Sequence, residues 1–145
     1  MINNLDNTQL INELIAISEE AGKAIMEIYS SNFDYQIKKD SSPLTEADKV
    51  SHQIIIKKIK ALTPDIPIIS EEDSDISFQI RSKWTKYWLI DPLDGTKEFI
   101  KKNGEFTVNI ALIENNRPIL GVIFMPASSE IFWGSKGNGS FYLKN

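Results

Sequence analysis

Residues 88–99 read WLIDPLDGTKEF, and the rest of the chain is arranged around them. The run begins apolar, and Tyr87 to Ile90 predicts a strand. It then turns on Asp91-Pro92-Leu93-Asp94-Gly95. Proline fixes its own φ at about −65° and restrains the residue before it. Gly95 lets the backbone pass close to a neighbour. Thr96 to Lys102 is permissive for a short helix. Two carboxylates, Asp91 and Asp94, therefore sit three residues apart where a strand gives way to a turn.

Upstream, Leu10, Leu14, Ile17, Ala21, Ala24 and Ile28 recur at helical spacing and predict a helix over 8–30 with one buried stripe. Asp6, Asn7 and Thr8 are its candidate caps. Phe33 to Lys39 predicts a short strand, followed by a polar loop to Pro43. Thr45-Glu46-Ala47-Asp48 matches a capping box and starts a second helix, which Thr63-Pro64-Asp65 ends. Ile66 to Ile69 is a short apolar strand with Ser70-Glu71-Glu72-Asp73 at its exit. Residues 74–86 are polar and mixed, a loop with room for a helical turn.

Downstream the period changes to two. Phe106, Val108, Ile110 and Leu112 fall on one face, and Thr107, Asn109 and Ala111 on the other. Asn115-Asn116 makes a hairpin turn, since asparagine tolerates positive φ. Ile119 to Met125 is almost continuously apolar and predicts a strand covered on both faces. Glu130–Trp133 and Phe141–Leu143 are further strands, the second reached through Gly137-Asn138-Gly139. Helices followed by an antiparallel meander predict an α+β fold of layered helices on a mainly antiparallel sheet.

With 145 residues, 41% apolar and 25% charged, the chain has the composition of one globular domain. A net charge of −4 argues against nucleic-acid binding, which needs a basic face. No cysteine means no disulfide and no thiolate metal site. No apolar run reaches the ~18 residues of a membrane span, and no transmembrane segment is expected. MINNLDNTQL lacks the basic start and apolar core of a signal peptide, so a cytoplasmic location is the expectation.

The chemistry lies in three acidic positions placed alike. Glu71 follows one strand, Asp91 ends the next and Asp94 lies just past it. If the strands are neighbours, these carboxylates converge and need protons or a cation, because like charges at 4 Å repel by ~1 kcal/mol even in water. All-oxygen ligation suits a hard cation, and Mg²⁺ is the usual one where a phosphate shares the site. The Leu93 carbonyl, between two acidic residues, is a further oxygen donor. Backbone N–H groups of Gly95, Thr96 and Lys97 at the start of a helix suit a phosphate. A metal seat beside a phosphate seat fits metal-assisted phosphate-ester hydrolysis. Taken singly, each feature has a plainer reading. Asp91–Gly95 is then a turn, Glu71-Glu72-Asp73 a solvated loop, Thr45 with Asp48 a helix cap, and Asp40 a loop residue. Lys97 is then an exposed lysine and the sole histidine, His52, a solvated one.

Taken together, DPLDGTKEF, KKDSSPLTEAD, PIISEE and GEFTVNIALI occur in one order over nearly the whole chain. They resemble the inositol monophosphatase superfamily, in particular its 3′(2′),5′-bisphosphate nucleotidase branch of the bacterial sulfate-assimilation type. The one visible departure in the loop motif is Leu44, where valine is usual. The resemblance implies the N-terminal half of the sugar-phosphatase fold over residues 1–145, a metal- and phosphate-binding domain without the family's C-terminal α/β domain. It implies Mg²⁺-dependent, lithium-sensitive hydrolysis of adenosine 3′,5′-bisphosphate to AMP and phosphate, incomplete in so short a chain. Inositol monophosphatase or other sugar-phosphatase activity is the alternative, and an inactive metal- or phosphate-binding half is another. By position, Glu71, Asp91, the Leu93 carbonyl and Asp94 would hold the metals, with Asp91 bridging two ions. Glu71, Leu93, Asp94, Gly95, Thr96 and Lys97 would meet the substrate. Thr96, Glu71 and Asp40 would be catalytic, Asp40 accepting the proton of the attacking water, and Thr45 and Asp48 would support them. The implied partners are a small phosphorylated nucleotide and either a second copy or a separate C-terminal half. The implied location is the cytoplasm, or the periphery of the inner membrane.

Overall fold

A computed structural model of the chain describes residues 5–31, 43–72 and 75–145. The first helix, α1 (Asn7–Tyr29), is capped by Asp6. The Asp6 carboxylate accepts the Gln9 N–H at 2.8 Å, and the Gln9 side chain accepts the Asp6 N–H at 3.1 Å. Two amides that the helix leaves without intrahelical partners are thus satisfied reciprocally. Its buried stripe runs through Leu10, Ile11, Leu14, Ile17, Ser18, Ala21, Gly22 and Ile25. Ala24 and Ile28, expected within it, are only half-buried.

The second helix, α2 (Pro43–Leu62), starts two residues before Thr45. Proline lacks only an N–H that the first helical position leaves unbonded anyway, and its fixed φ suits that position. Thr45 therefore lies inside the first turn rather than at the cap. The strand expected over Phe33–Lys39 lies outside the described residues.

Six strands and two short helices follow: β1 (Ile68–Ser70), α3 (Phe78–Arg81), β2 (Lys86–Asp94), α4 (Thr96–Lys101), β3 (Thr107–Glu114), β4 (Arg117–Met125), β5 (Glu130–Ser135) and β6 (Gly139–Lys144). They form one sheet in the order β1 to β6, parallel only between β1 and β2. Asn115 and Asn116 adopt φ of 49° and 62° and close the β3–β4 hairpin. Paired positive φ values match the twist of the flanking strands. The α+β layering expected from the sequence is the one observed.

Both helices cover one face of the sheet. Trp88, Ile90, Val108, Ile110, Leu112, Leu120, Val122 and Ile131 point into a core completed by Leu14, Ile17, Ala21 and Ile25 of α1 and Ala47, Ile55 and Ile59 of α2. Burying each large side chain contributes roughly 1.5–3 kcal/mol. Trp88 is fully buried, and its indole N–H donates to Thr63 Oγ1 at 2.9 Å, so the largest core side chain leaves no unpaired polar atom. The other sheet face is open. Leu89, Ile123 and Phe132 on it are 44%, 46% and 41% exposed, which corrects the expectation that β4 is covered on both sides. Among the described residues no helix is long and apolar enough to cross a membrane.

Candidate metal and phosphate site

The strand β2 does not end at Ile90. It runs through Asp91-Pro92-Leu93-Asp94, because β3 stays paired alongside it. Asp91 stands opposite Asn109 and Asp94 opposite Thr107, so Pro92 and Leu93 together oppose Val108. This is a β-bulge, two residues against one. In a regular strand, residues three apart point to opposite faces. The extra residue cancels that alternation and returns Asp94 to the face of Asp91. The expected turn is thus a bulged strand, and its effect is to aim two carboxylates the same way. Pro92 brings no N–H to the ladder, so it costs no donor at the bulge.

Glu71 reaches the same place from β1. Ser70 is the register partner of Ile90, and the Glu71 N–H donates to the Ile90 carbonyl at 3.1 Å. One step beyond, Glu71 lies beside Asp91, its carboxylate within hydrogen-bonding reach. Burial, contact with the Glu71 carboxylate and the nearby charges of Glu71 and Asp94 push the Asp91 carboxyl up to about 7, although the Leu93 N–H favours its charged form. Asp48 approaches from α2. Burial, then the charges of Glu72 and Glu71, push its carboxyl up to about 7. Among the described residues, the Oδ1 atoms of Asp48 and Asp91 are buried without a hydrogen-bond partner. Asp94 is exposed, and its Oδ2 accepts the Asn109 amide at 3.2 Å.

Buried anionic oxygens with no donor, crowded by further carboxylates, are what a hard cation satisfies, so the donor set fits such an ion. Among the described residues no three acidic or histidine side chains stand in a preassembled shell. Glu71 and Asp91 are within hydrogen-bonding reach of each other, while Asp94 acts on Asp91 as a neighbouring charge.

Beyond the carboxylates, Gly95 has φ of 94° and a left-handed backbone, and a Cβ there would lie 2.9 Å from the Glu105 carbonyl oxygen. The chain can leave β2 for α4 only through glycine at this point. Thr96 is the first residue of α4, and both it and Lys97 are exposed. Thr45 is exposed on the first turn of α2. Asp40 lies outside the described residues. Glu71, Asp91 and Asn109 line one end of an open cavity of about 1120 Å³, whose floor is the bare sheet face around Leu89, Ile123 and Phe132.

Four residues beside the carboxylates were not anticipated. Asn109 holds Asp94, and its one signal was a polar side chain at register with Asp91. Ser51, fully buried, donates to the Pro92 carbonyl at 2.7 Å. His52, whose plainer reading is a solvated side chain, has a partner within the fold. It is half-buried, with Nδ1 2.9 Å from the hydroxyl of buried Ser70.

Fold and sequence together place the chain among known proteins. The profile described as Inositol monophosphatase family matches residues 6–144, and this chain belongs to that family. Among its relatives, the 3′(2′),5′-bisphosphate nucleotidase CysQ of Salmonella typhimurium is 46% identical over 130 residues, 88% of this chain and 52% of the relative. The CysQ of Haemophilus influenzae is 39% identical over 135 residues, 93% of this chain and 50% of that protein. The crystal structure of CysQ from Bacteroides thetaiotaomicron superposes with a TM-score of 0.89 at 40% identity, over 98% of this chain and 51% of that one. The extragenic suppressor protein suhB of Bartonella henselae superposes at 0.75 with 26% identity, over 92% of this chain and 50% of that one. The chain thus spans about half the length of the relatives it matches.

Proposed function

We propose that this chain is the N-terminal metal- and phosphate-binding half of a Mg²⁺-dependent phosphomonoesterase. The reaction is release of the 3′-phosphate of adenosine 3′,5′-bisphosphate, giving AMP, and the setting is the cytoplasm. One observation carries the reading: the bulge at Pro92-Leu93 puts Asp91 and Asp94 on one face, beside Glu71. Support for the substrate class comes from the bisphosphate nucleotidases at 39–46% identity.

In this reading Glu71, Asp91, Asp94 and the Leu93 carbonyl hold the cation, which when bound polarises phosphate oxygens and acidifies water. The chain's own groups do the rest. Asp91 has a buried oxygen that meets no donor among the described residues and would be free to ligate the ion. Asn109 restrains Asp94. Gly95 and Thr96 offer backbone N–H groups to the phosphate, Thr96 orients water, Lys97 adds a positive charge and Asp40 accepts the proton. Asp48 and Thr45 support the cluster from α2.

A second reading is a binding module without turnover, favoured by the lack of a preassembled three-ligand shell among the described residues. Phosphate release from adenosine 3′,5′-bisphosphate with Mg²⁺, assayed on the 145-residue chain beside inositol 1-phosphate, separates the two. Nucleotide-selective release that Asp91→Asn abolishes supports the enzyme. Cation binding without release leaves the module. Release unaffected by Asp91→Asn overturns both.

A further inference from the structure

The end of β1 is weakly held by the sheet alone. Among the described residues β1, three residues long, lies at the sheet edge and pairs with β2 only. That pair is parallel, so no hairpin joins the ends that carry Glu71 and Asp91. Residues 71–85 separate the two strands. Beyond Ser70 the Glu71 N–H still donates to the Ile90 carbonyl of β2.

Helix α2 crosses beneath both ends. Its neighbouring residues Ser51 and His52 point about 100° apart around the helix axis, enough to reach adjacent strands. Ser51 takes the bulge of β2 through the Pro92 carbonyl. His52 takes β1 through Ser70, the residue before Glu71. Ser70 is 3% exposed and faces the helices, opposite to the face on which Glu71 emerges. Holding Ser70 therefore fixes the strand's height and tilt where Glu71 leaves it.

We propose that His52 is a positioning residue: bound to Ser70, it sets where the end of β1 delivers Glu71 beside Asp91. The proposal rests on the cation-binding reading of the carboxylates. Outer partners that orient ligands typically matter by tenfold or more in metal affinity.

The test is Mn²⁺ affinity of the 145-residue chain by calorimetry, well below the melting temperature, with the metal-free melting temperature recorded separately. His52→Ala and Ser70→Ala should each weaken Mn²⁺ binding by roughly tenfold, and the double variant no further. His52→Asn, whose amide can occupy the place of Nδ1, should bind as the wild type does. Ser18→Ala truncates another fully buried helical serine, one whose hydroxyl has no partner, and should leave affinity unchanged. Single variants with wild-type affinity overturn the proposal even if they melt earlier. So does a double variant whose loss is the product of the two. If His52→Ala does not fold, Ser70→Ala and His52→Asn carry the same comparison. A wild-type chain that binds no Mn²⁺, or an Asp91→Asn chain that binds it equally, overturns the metal reading and this proposal with it.

Discussion

Asp91 and Asp94 are three residues apart in a strand and yet share a face, because Pro92 and Leu93 have one partner, Val108, between them. The carboxylate of Asp94 then accepts the side-chain amide of Asn109. Asn109→Ala removes that tie at an accessible bond. Stability should change by no more than about 0.5 kcal/mol, while divalent-cation affinity falls roughly tenfold. Urea unfolding and Mn²⁺ titration of one variant check both halves.

The acidic cluster makes the metal-free chain pH-sensitive. Asp48 and Asp91 are raised from 3.8 to about 7 by burial and by their anionic neighbours. The folded state then binds more protons than the unfolded state between those values, so stability is lost as pH rises through that window. The melting temperature with chelator present should fall from about pH 4 to about pH 7. Asp48→Asn and Asp91→Asn should each flatten that slope. Mg²⁺ should raise the melting temperature more at pH 8 than at pH 5, since protons compete with the ion at low pH.

Gly95→Ala should unfold more easily. Left-handed backbone costs an alanine roughly 1–2 kcal/mol, and the new Cβ meets the Glu105 carbonyl as well. The measurement is the urea midpoint, with a loss of about 2 kcal/mol expected.

The bare face of the sheet should drive self-association. Leu89, Ile123 and Phe132 expose a contiguous apolar surface. Sedimentation should show oligomers of the wild-type chain at concentrations where Ile123→Lys and Phe132→Lys chains are monomeric.

Much of this is legible in the sequence. The helical stripe of α1, the alternation of Val108, Ile110 and Leu112, and the Asn115-Asn116 turn are local signals, and local geometry realises them. The proximity of Glu71 to Asp91 was legible as a condition on two strands being neighbours, which they are. The bulge was not, because Asp91-Pro92-Leu93-Asp94-Gly95 carries every mark of a turn. Only pairing with β3, a non-local event, keeps it extended. The partner of His52 is illegible in the sequence for the same reason, since Ser70 lies in another element. Apolar continuity over Ile119–Met125 suggested two covered faces, but the same residues alternate between the core and an open cavity.

The most direct test of the account is a calorimetric Mg²⁺ titration of the wild-type chain and of Asp91→Asn at pH 8. The account predicts saturable binding by the wild type and none by Asp91→Asn. It also predicts a higher metal-free melting temperature for Asp91→Asn, because a repelling charge has gone from the cluster. Equal Mg²⁺ binding by both chains, or none by the wild type, would contradict it.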